Sequence, residues 1–422
     1  MSFKVFKNTV LLFVLALISC GSGNKSEDKV QNTEEMLRQA QHDNLDDKEI
    51  IVGANRTSEY LSLLKGKRVG VVANQTSVIF KNSRRNTNDR SYTHLVDSLI
   101  ALKINVKKVF SPEHGFRGDV DAGEHVEDGI DKKTGLPLVS LYGNSKKTDP
   151  KDLDDIDILI FDIQDVGVRF YTYISTLHYI MEACAENNIP LIVLDRPNPN
   201  GNYVDGPTLE KEHQSFLGMH PIPLVHGMTI GEYAKMINGE KWLPNGNQCQ
   251  ITIIPCDHYT HETPYSLSIR PSPNLPNDQS IKLYPSLGLF EGTNVNAGRG
   301  TEFQFQRYGA PFLNPETMTF TYTPQSNFGA KYPKHKDKLC YGEDLSNAEV
   351  NEEMTLKWII KAYENSTDKS KFFLTDGFTK HAGTTTLQKQ IESGMSEADI
   401  KATWQKDLEQ FKITRAKYLI YN

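Results

Sequence analysis

The stretch Ser111-Pro112-Glu113-His114-Gly115-Phe116-Arg117 puts a carboxyl, an imidazole and a guanidinium into one short segment. A proline precedes them and a glycine interrupts them, so the segment reads as a loop and not as a helix face. A carboxyl on such a loop, facing a second domain, can be desolvated and its pKa raised, as a general acid requires. Glu113 and His114 are therefore the leading catalytic candidates. Arg117 is a binding group or simply the ion-pair partner of Glu113. Further polar clusters follow apolar runs: Asn74 after one, Asp162, Gln164, Asp165 and Arg169 after another, Asp195, Arg196 and Asn198 after a third. Asp162 and Asp195 join the catalytic candidates as a possible second carboxylate, and Asp165 has the same chemistry, although acids at such positions also cap helices. Arg169, Arg196 and the later Arg299 are candidates to clamp a ligand carboxylate in bidentate fashion, or they form ordinary salt bridges. Tyr171 and Tyr173 either pack on a ligand face or start the next helix.

The elements that must position these groups alternate. Residues 68–73, 106–110, 156–163 and 190–194 are apolar or β-branched runs, read as strands buried in a sheet, and 138–142 adds a short one. Helical spacing of Leu95, Leu99 and Leu102, and of Ile174, Leu177, Met181 and Cys184, predicts helices over about 91–103 and 171–187. This is the pattern of an α/β fold: a Rossmann-like, mainly parallel sheet with helices on both faces. Loops leaving parallel strands share one edge, where such sheets hold ligands. The scattered polar clusters are thereby expected to converge. Past residue 220 the pattern changes to a smaller α+β C-terminal domain (221–422) that closes the cleft against the first domain (50–220). It has a helix opened by Thr229, a strand at 251–254 and a long ordered loop over 270–285. A second polar cluster at 289–307 holds Glu291, Asn294, Arg299, Glu302 and Gln304. A terminal helix follows Ser396, with Ile400, Trp404, Leu408 and Phe411 as its packing stripe.

Several chemistries are excluded. No G-x-G-x-x-G follows the first strand and no Walker loop occurs, so no dinucleotide or nucleotide cofactor is expected. His258-x-x-His261-Glu262 is not the H-E-x-x-H order, and no metal is assigned. Pro285-Ser286-Leu287-Gly288 lacks the first glycine of a nucleophile elbow. The net charge of −6, with both signs interspersed, argues against a nucleic-acid surface. Cys184 reads as a core residue, while Cys249 and Cys256 could pair in an oxidising compartment.

Residues 1–20 read as a targeting segment: Lys4 and Lys7, then an apolar run too short to span a bilayer. Leu17-Ile18-Ser19-Cys20 resembles the lipobox of bacterial lipoproteins, which implies lipidation of Cys20; the plainer alternative is a secretory signal with an incidental cysteine. Residues 21–49 are polar and read as a disordered tether. The expected location is outside the cytoplasm, held to a bacterial membrane through the N-terminal lipid alone.

The blocks NQTS (74–77), SPEHGFRG (111–118), AGE (122–124), TGLPLVSLYG (134–143), FDIQDVGVRFYTYISTL (161–177), LDRPNPNG (194–201), PLVHGMTIGE (223–232), SPNLP (272–276) and LYPSLGLFEGTNVNAGRGTEFQFQ (283–306) occur in this order. Together they resemble the bacterial exo-β-N-acetylmuramidase family, over nearly all of residues 51–422. The resemblance implies a Rossmann-like domain, a smaller C-terminal domain and an active site between them. It also implies release of terminal N-acetylmuramic acid from the non-reducing end of peptidoglycan fragments, and its P-E-H-G glutamate falls on Glu113. His226 joins the substrate-binding candidates. Glycoside cleavage needs an acid for the leaving oxygen and a group to meet the oxocarbenium-like centre. The second role is open between Asp162, Asp165, Asp195, Glu291 and the acetamido group of the substrate itself. An arginine clamp from Arg169, Arg196 or Arg299 would select the lactyl carboxylate of muramic acid. A lipoprotein that binds muropeptides without cutting them is the alternative from another class.

Overall fold

The computed structural model describes residues 49–81, 91–118, 128–143 and 146–421. The targeting segment with Cys20, the tether up to residue 48 and the AGE block lie outside the described residues. Residues Ile50–Asn422 form one compact unit.

In chain order the first part contains α1 (Thr57–Leu64), β1 (Val69–Ala73), a hairpin β2 (Val78–Phe80) and β3 (Tyr92–His94), α2 (Leu95–Ala101), β4 (Val106–Ser111), β5 (Gly129–Ile130), β6 (Pro137–Ser140), β7 (Ile158–Asp162), α3 (Tyr173–Asn187), β8 (Leu191–Leu194), α4 (Ile230–Gly239) and β9 (Ile251–Ile254). The large sheet runs β5-β6-β4-β1-β7-β8-β9. All its pairs are parallel except β5 with β6. Read over the parallel strands alone, this is the Rossmann order, with its reversal between β1 and β7. β9 lies beyond residue 220 and returns to this sheet.

Apolar composition explains the arrangement. Every residue of β1, β7 and β8 is buried, so both sheet faces must be covered. Val69, Val71, Val109, Ile160 and Ile192 pack on the side of α1 and α2. Val72, Phe110, Leu159, Phe161 and Val193 share a second core with α3, α4 and the C-terminal helices. One apolar core thus continues from the sheet into the C-terminal half.

That half contains α5 (Asp278–Leu287), a three-stranded antiparallel sheet of β10 (Arg307–Ala310), β11 (Phe320–Tyr322) and β12 (Cys340–Asp344), then α6 (Lys357–Glu364), α7 (Thr375–Ala382), α8 (Thr386–Glu392) and α9 (Glu397–Ala416). Among the described residues no helix is long and apolar enough to cross a membrane.

Two local expectations are corrected and one open pairing is decided. The helix expected over about 91–103 begins only at Leu95, because Tyr92–His94 pairs with β2. The expected loop at 270–285 holds α5, despite Pro285 inside it. A proline cannot donate to the carbonyl one turn back; here that carbonyl, of Ile281, accepts from Asn200 Nδ2 at 3.3 Å instead. Asn277 completes the helix with a capping box. Finally, Cys249 and Cys256 do not pair: all four described cysteines are buried free thiols, and Cys249 lies against Cys184.

Candidate active site

Glu113 stands just past the carboxyl end of β4. The chain turns over Pro112–Gly115, closed by a bond from the Gly115 amide to the Pro112 carbonyl at 3.1 Å. His114 and Gly115 both adopt positive φ, 71° and 77°. For a histidine this conformation costs about 1–2 kcal/mol, and such local strain concentrates at functional loops. The turn aims Glu113 and His114 into a cavity of about 270 Å³. Thr172 Oγ1 donates to Glu113 Oε2 at 3.0 Å. The Tyr142 phenol is also hydrogen-bonded to this carboxyl, and burial, reinforced by the Glu113 charge, pushes the phenol up, so it stays a donor. Tyr173 reaches the Glu113 carbonyl at 3.4 Å.

The opposite wall comes from the C-terminal half. Glu291 sits in the helical turn Gly288–Gly292 that follows α5. Arg299 Nη1 meets Glu291 Oε1 at 3.1 Å, while Arg299 Nη2 donates to the Gly329 carbonyl at 3.2 Å. Asn274 Nδ2 donates to the same carbonyl at 2.7 Å. His381, on α7, donates from Nδ1 to the Gly377 carbonyl at 2.8 Å, which leaves Nε2 toward Glu291 Oε2 at 3.9 Å. Burial holds the His381 imidazole below its usual pKa, opposed by the Glu291 charge. Behind Glu291, Lys334 donates to the carbonyls of Phe290 and Glu291 at 3.1 and 3.0 Å; burial lowers its ammonium to about 8. Glu113 and Glu291 both act on the phenols of Tyr142 and Tyr284, so the two carboxylates face the same tyrosines. Tyr171, Phe170 and Phe305 pack around Tyr284 with ring centroids 6.0, 5.2 and 4.8 Å away.

Of the residues expected from sequence, Glu113, His114, Tyr171, Glu291 and Arg299 line this cavity. Tyr173 lies directly behind it. The others are placed elsewhere, and each has a physical reason. Asp162 and Arg196 form a buried bidentate pair, 2.6 and 3.0 Å, so neither the catalytic acid nor the clamp expected there is present. Asp195 is fully buried and serves the N-terminus of α4, accepting from Thr229 Oγ1 at 2.7 Å and the Gly231 amide at 2.8 Å. Tyr421 donates at 2.7 Å to the same carboxylate oxygen, Oδ2, that accepts from Thr229. Burial still pushes the Asp195 carboxyl up to about 6.

Arg169 is buried with its guanidinium on four backbone carbonyls, and burial lowers it to about 9. Arg117 pairs with Asp97 and Asp131. Gln164 Nε2 donates to the carbonyls of Asp165 and Pro197. Asp165 caps the tight turn at Gly167 and lies 3.7 Å from His226. Asn198 holds the Met228 carbonyl and the Asn200 amide. Asn74 closes its own turn through Thr76, and Asn294 binds the Lys371 carbonyl. Glu302 is exposed. The convergence expected at the sheet edge is therefore real for the β4 and β7 loops, while most of the acids and arginines there hold loops together.

Two family models cover nearly the whole described chain: exo-β-N-acetylmuramidase, N-terminal, over residues 69–279, and its C-terminal counterpart over residues 282–421. The chain belongs to the exo-β-N-acetylmuramidase family. Its fold class and its standing as a glycoside hydrolase follow from that membership. Among relatives, the peptidoglycan β-N-acetylmuramidase NamZ of Bacillus subtilis (strain 168) is 42% identical over 381 residues, 86% of this chain and 89% of that protein. Two crystal structures of DUF1343 family proteins from Bacteroides fragilis NCTC 9343 superpose with TM-scores of 0.80 and 0.73 at 45% and 28% identity. Each covers 89% of this chain and 99% of the other.

Within this family member several cavity residues escaped the sequence reading. Thr172 sits between two tyrosines that were considered, and Tyr142 ends the short strand expected at 138–142; both were within reach of the strand-end argument. Asn274, Tyr284, Phe305 and His381 had no such signal, because nothing local says which C-terminal loops fold back over the sheet edge.

Proposed function

We propose that the chain removes terminal N-acetylmuramic acid from the non-reducing end of peptidoglycan fragments, with Glu113 as general acid. The observation that carries this reading is the Glu113 carboxyl, fixed by Thr172 and Tyr142 in a cavity that Glu291 also lines. Ligand pockets commonly span about 300–1,000 Å³; a cavity of about 270 Å³ suits a terminal sugar rather than a chain passing through, which favours exo action. Glu113 protonates the leaving glycosidic oxygen. Glu291 is the carboxylate available to meet the developing positive charge, alone or together with the acetamido group of the substrate. Tyr171 and Tyr284 supply flat faces for the ring, and Arg299 takes the lactyl carboxylate.

Incubating wild type and Glu113→Gln with a chromogenic N-acetylmuramic acid glycoside tests the assignment. Release by wild type and its collapse in the variant are expected. Binding without release by wild type would overturn the catalytic reading and leave a muropeptide-binding protein. We further propose that Cys20 is lipidated and anchors the enzyme outside the cytoplasm, in cell-wall turnover. The proposal fails if Cys20→Ala leaves membrane fractionation unchanged.

A further inference from the structure

A second concavity, of about 460 Å³, lies apart from the catalytic cavity and shares no lining residue with it. It is formed by the segment after Asp205, the end of α4, and helices α8 and α9. On α9, Thr403, Asp407, Gln410 and Thr414 follow one another at i, i+4, i+7 and i+11, so one polar stripe of the helix faces it. Trp242 and Trp404 stand in its wall, Trp242 half-buried with one face stacked on His220 and Trp404 buried. Among the described residues, the Thr208 hydroxyl and the indole N–H of Trp404 in its wall have no hydrogen-bond partner. Trp404 is 4% exposed, and an unmet donor on so buried a side chain carries a free-energy cost of about 1–3 kcal/mol. The charge is one-sided. Glu210, Glu240 and Asp407 line the concavity and, among the described residues, no lysine, arginine or histidine does; the basic side chains beside the two glutamates, His213 and Lys417, stand outside the lining.

We propose that this concavity is a separate binding site for an uncharged amino sugar, an N-acetylglucosamine unit of a glycan. Threonine and glutamine side chains and carboxylate acceptors match a ring rich in hydroxyl donors, and the exposed part of Trp242 offers its C–H face an apolar contact. The acidic lining disfavours muramic acid, whose lactyl carboxylate finds no cation there. The two sites thus divide the two sugars of a peptidoglycan strand: Arg299 is present where the anionic one is cut, and cations are missing where the neutral one is held. The choice of occupant rests on the proposed function, while its binding test requires no catalysis.

Trp242 and Trp404 are two of the protein's three tryptophans, so intrinsic fluorescence reports on the site directly. Titrating the full chain with chitotriose is expected to give a saturable change, with a much weaker one for free N-acetylmuramic acid. Asp407→Lys and Gln410→Ala, at side chains of the α9 stripe, are each expected to weaken chitotriose binding by about tenfold, the effect of one hydrogen bond to ligand, with hydrolysis of the soluble chromogenic muramic substrate unchanged. No fluorescence response to chitotriose overturns the proposal. So does a response that survives Asp407→Lys but disappears when the catalytic cavity is occupied by muramic substrate in the Glu113→Gln protein. Loss of hydrolysis with chitotriose binding retained would instead count against the catalytic assignment alone.

Discussion

Arg169 Nη2 donates to the backbone carbonyl of His381 at 3.0 Å and to that of Ala382 at 2.7 Å, while Nη1 holds the carbonyls of Pro207 and Ile222 at 2.7 and 2.9 Å. The first pair ends α7, which carries His381 into the catalytic cavity. The second pair brackets the segment that carries Phe216 and Leu217 to its rim. A single planar fork therefore fixes two cavity walls. Gly383 must be glycine for this to work, because it has φ of 78° and a Cβ there would lie 2.5 Å from Arg169 Nη2.

Lysine cannot reproduce that fork. Arg169→Lys leaves carbonyls unmet in the interior and should destabilise the fold by about 3 kcal/mol or more, read as a lower melting temperature. Below the melting transition kcat/KM should fall too, since His381 and Phe216 lose their common support. A variant that melts like wild type would sink this account.

Thr172→Val removes the donor to Glu113 Oε2 while keeping its shape. Stability should change little and kcat should drop, by less than the roughly 10²–10⁴-fold expected for Glu113→Gln from loss of acid catalysis. Steady-state kinetics of the two variants side by side is the check; equal losses would mean that Thr172 acts on more than the carboxyl.

Of the three arginines considered for the lactyl carboxylate, only Arg299 reaches the cavity. Arg299→Met should cost about tenfold or more in kcat/KM for a muramic acid glycoside and far less for the matching glucosamine glycoside. If both substrates lose equally, Arg299 serves Glu291 and not the substrate.

His94 predicts an acid-side loss of stability. Its Nε2 donates to the Asn74 carbonyl at 2.9 Å and its Nδ1 accepts from the Val96 amide at 3.3 Å, so the neutral ring is the one that fits. Burial lowers its pKa to about 4. The unfolded chain then binds the proton more readily than the fold does. This contribution is complete above about pH 6.5 and is lost progressively as pH falls toward 4, to a total on the order of 3 kcal/mol. Denaturant melts of wild type and His94→Gln across that range should converge on acidification; parallel curves would rule His94 out as the cause.

Much of the sheet was legible because its strands are uninterrupted apolar runs and because strand ends in a parallel sheet share an edge. Glu113 was legible for the same reason. What could not be read was the occupation of each polar group. Asp162 and Arg196 look in sequence like an acid and a clamp, yet their distance in space, 2.6 Å, makes them a closed pair. Asp195 looks like a strand-end acid and instead ties down α4, whose Thr229 and Gly231 arrive more than thirty residues later. Glu291 and Arg299 were legible as a polar cluster, but their meeting with Glu113 in one cavity, and His381 altogether, depend on a chain reversal that no local periodicity encodes.

The bond from Tyr421 to Asp195 spans 226 positions. A growing polypeptide halted anywhere short of that tyrosine carries an interior carboxyl that still lacks one of its donors. That one phenol thus ties the far end of the described chain to the rim of the sheet beside β8, and losing it should leave an interior carboxyl short of a donor at a cost of about 1–3 kcal/mol.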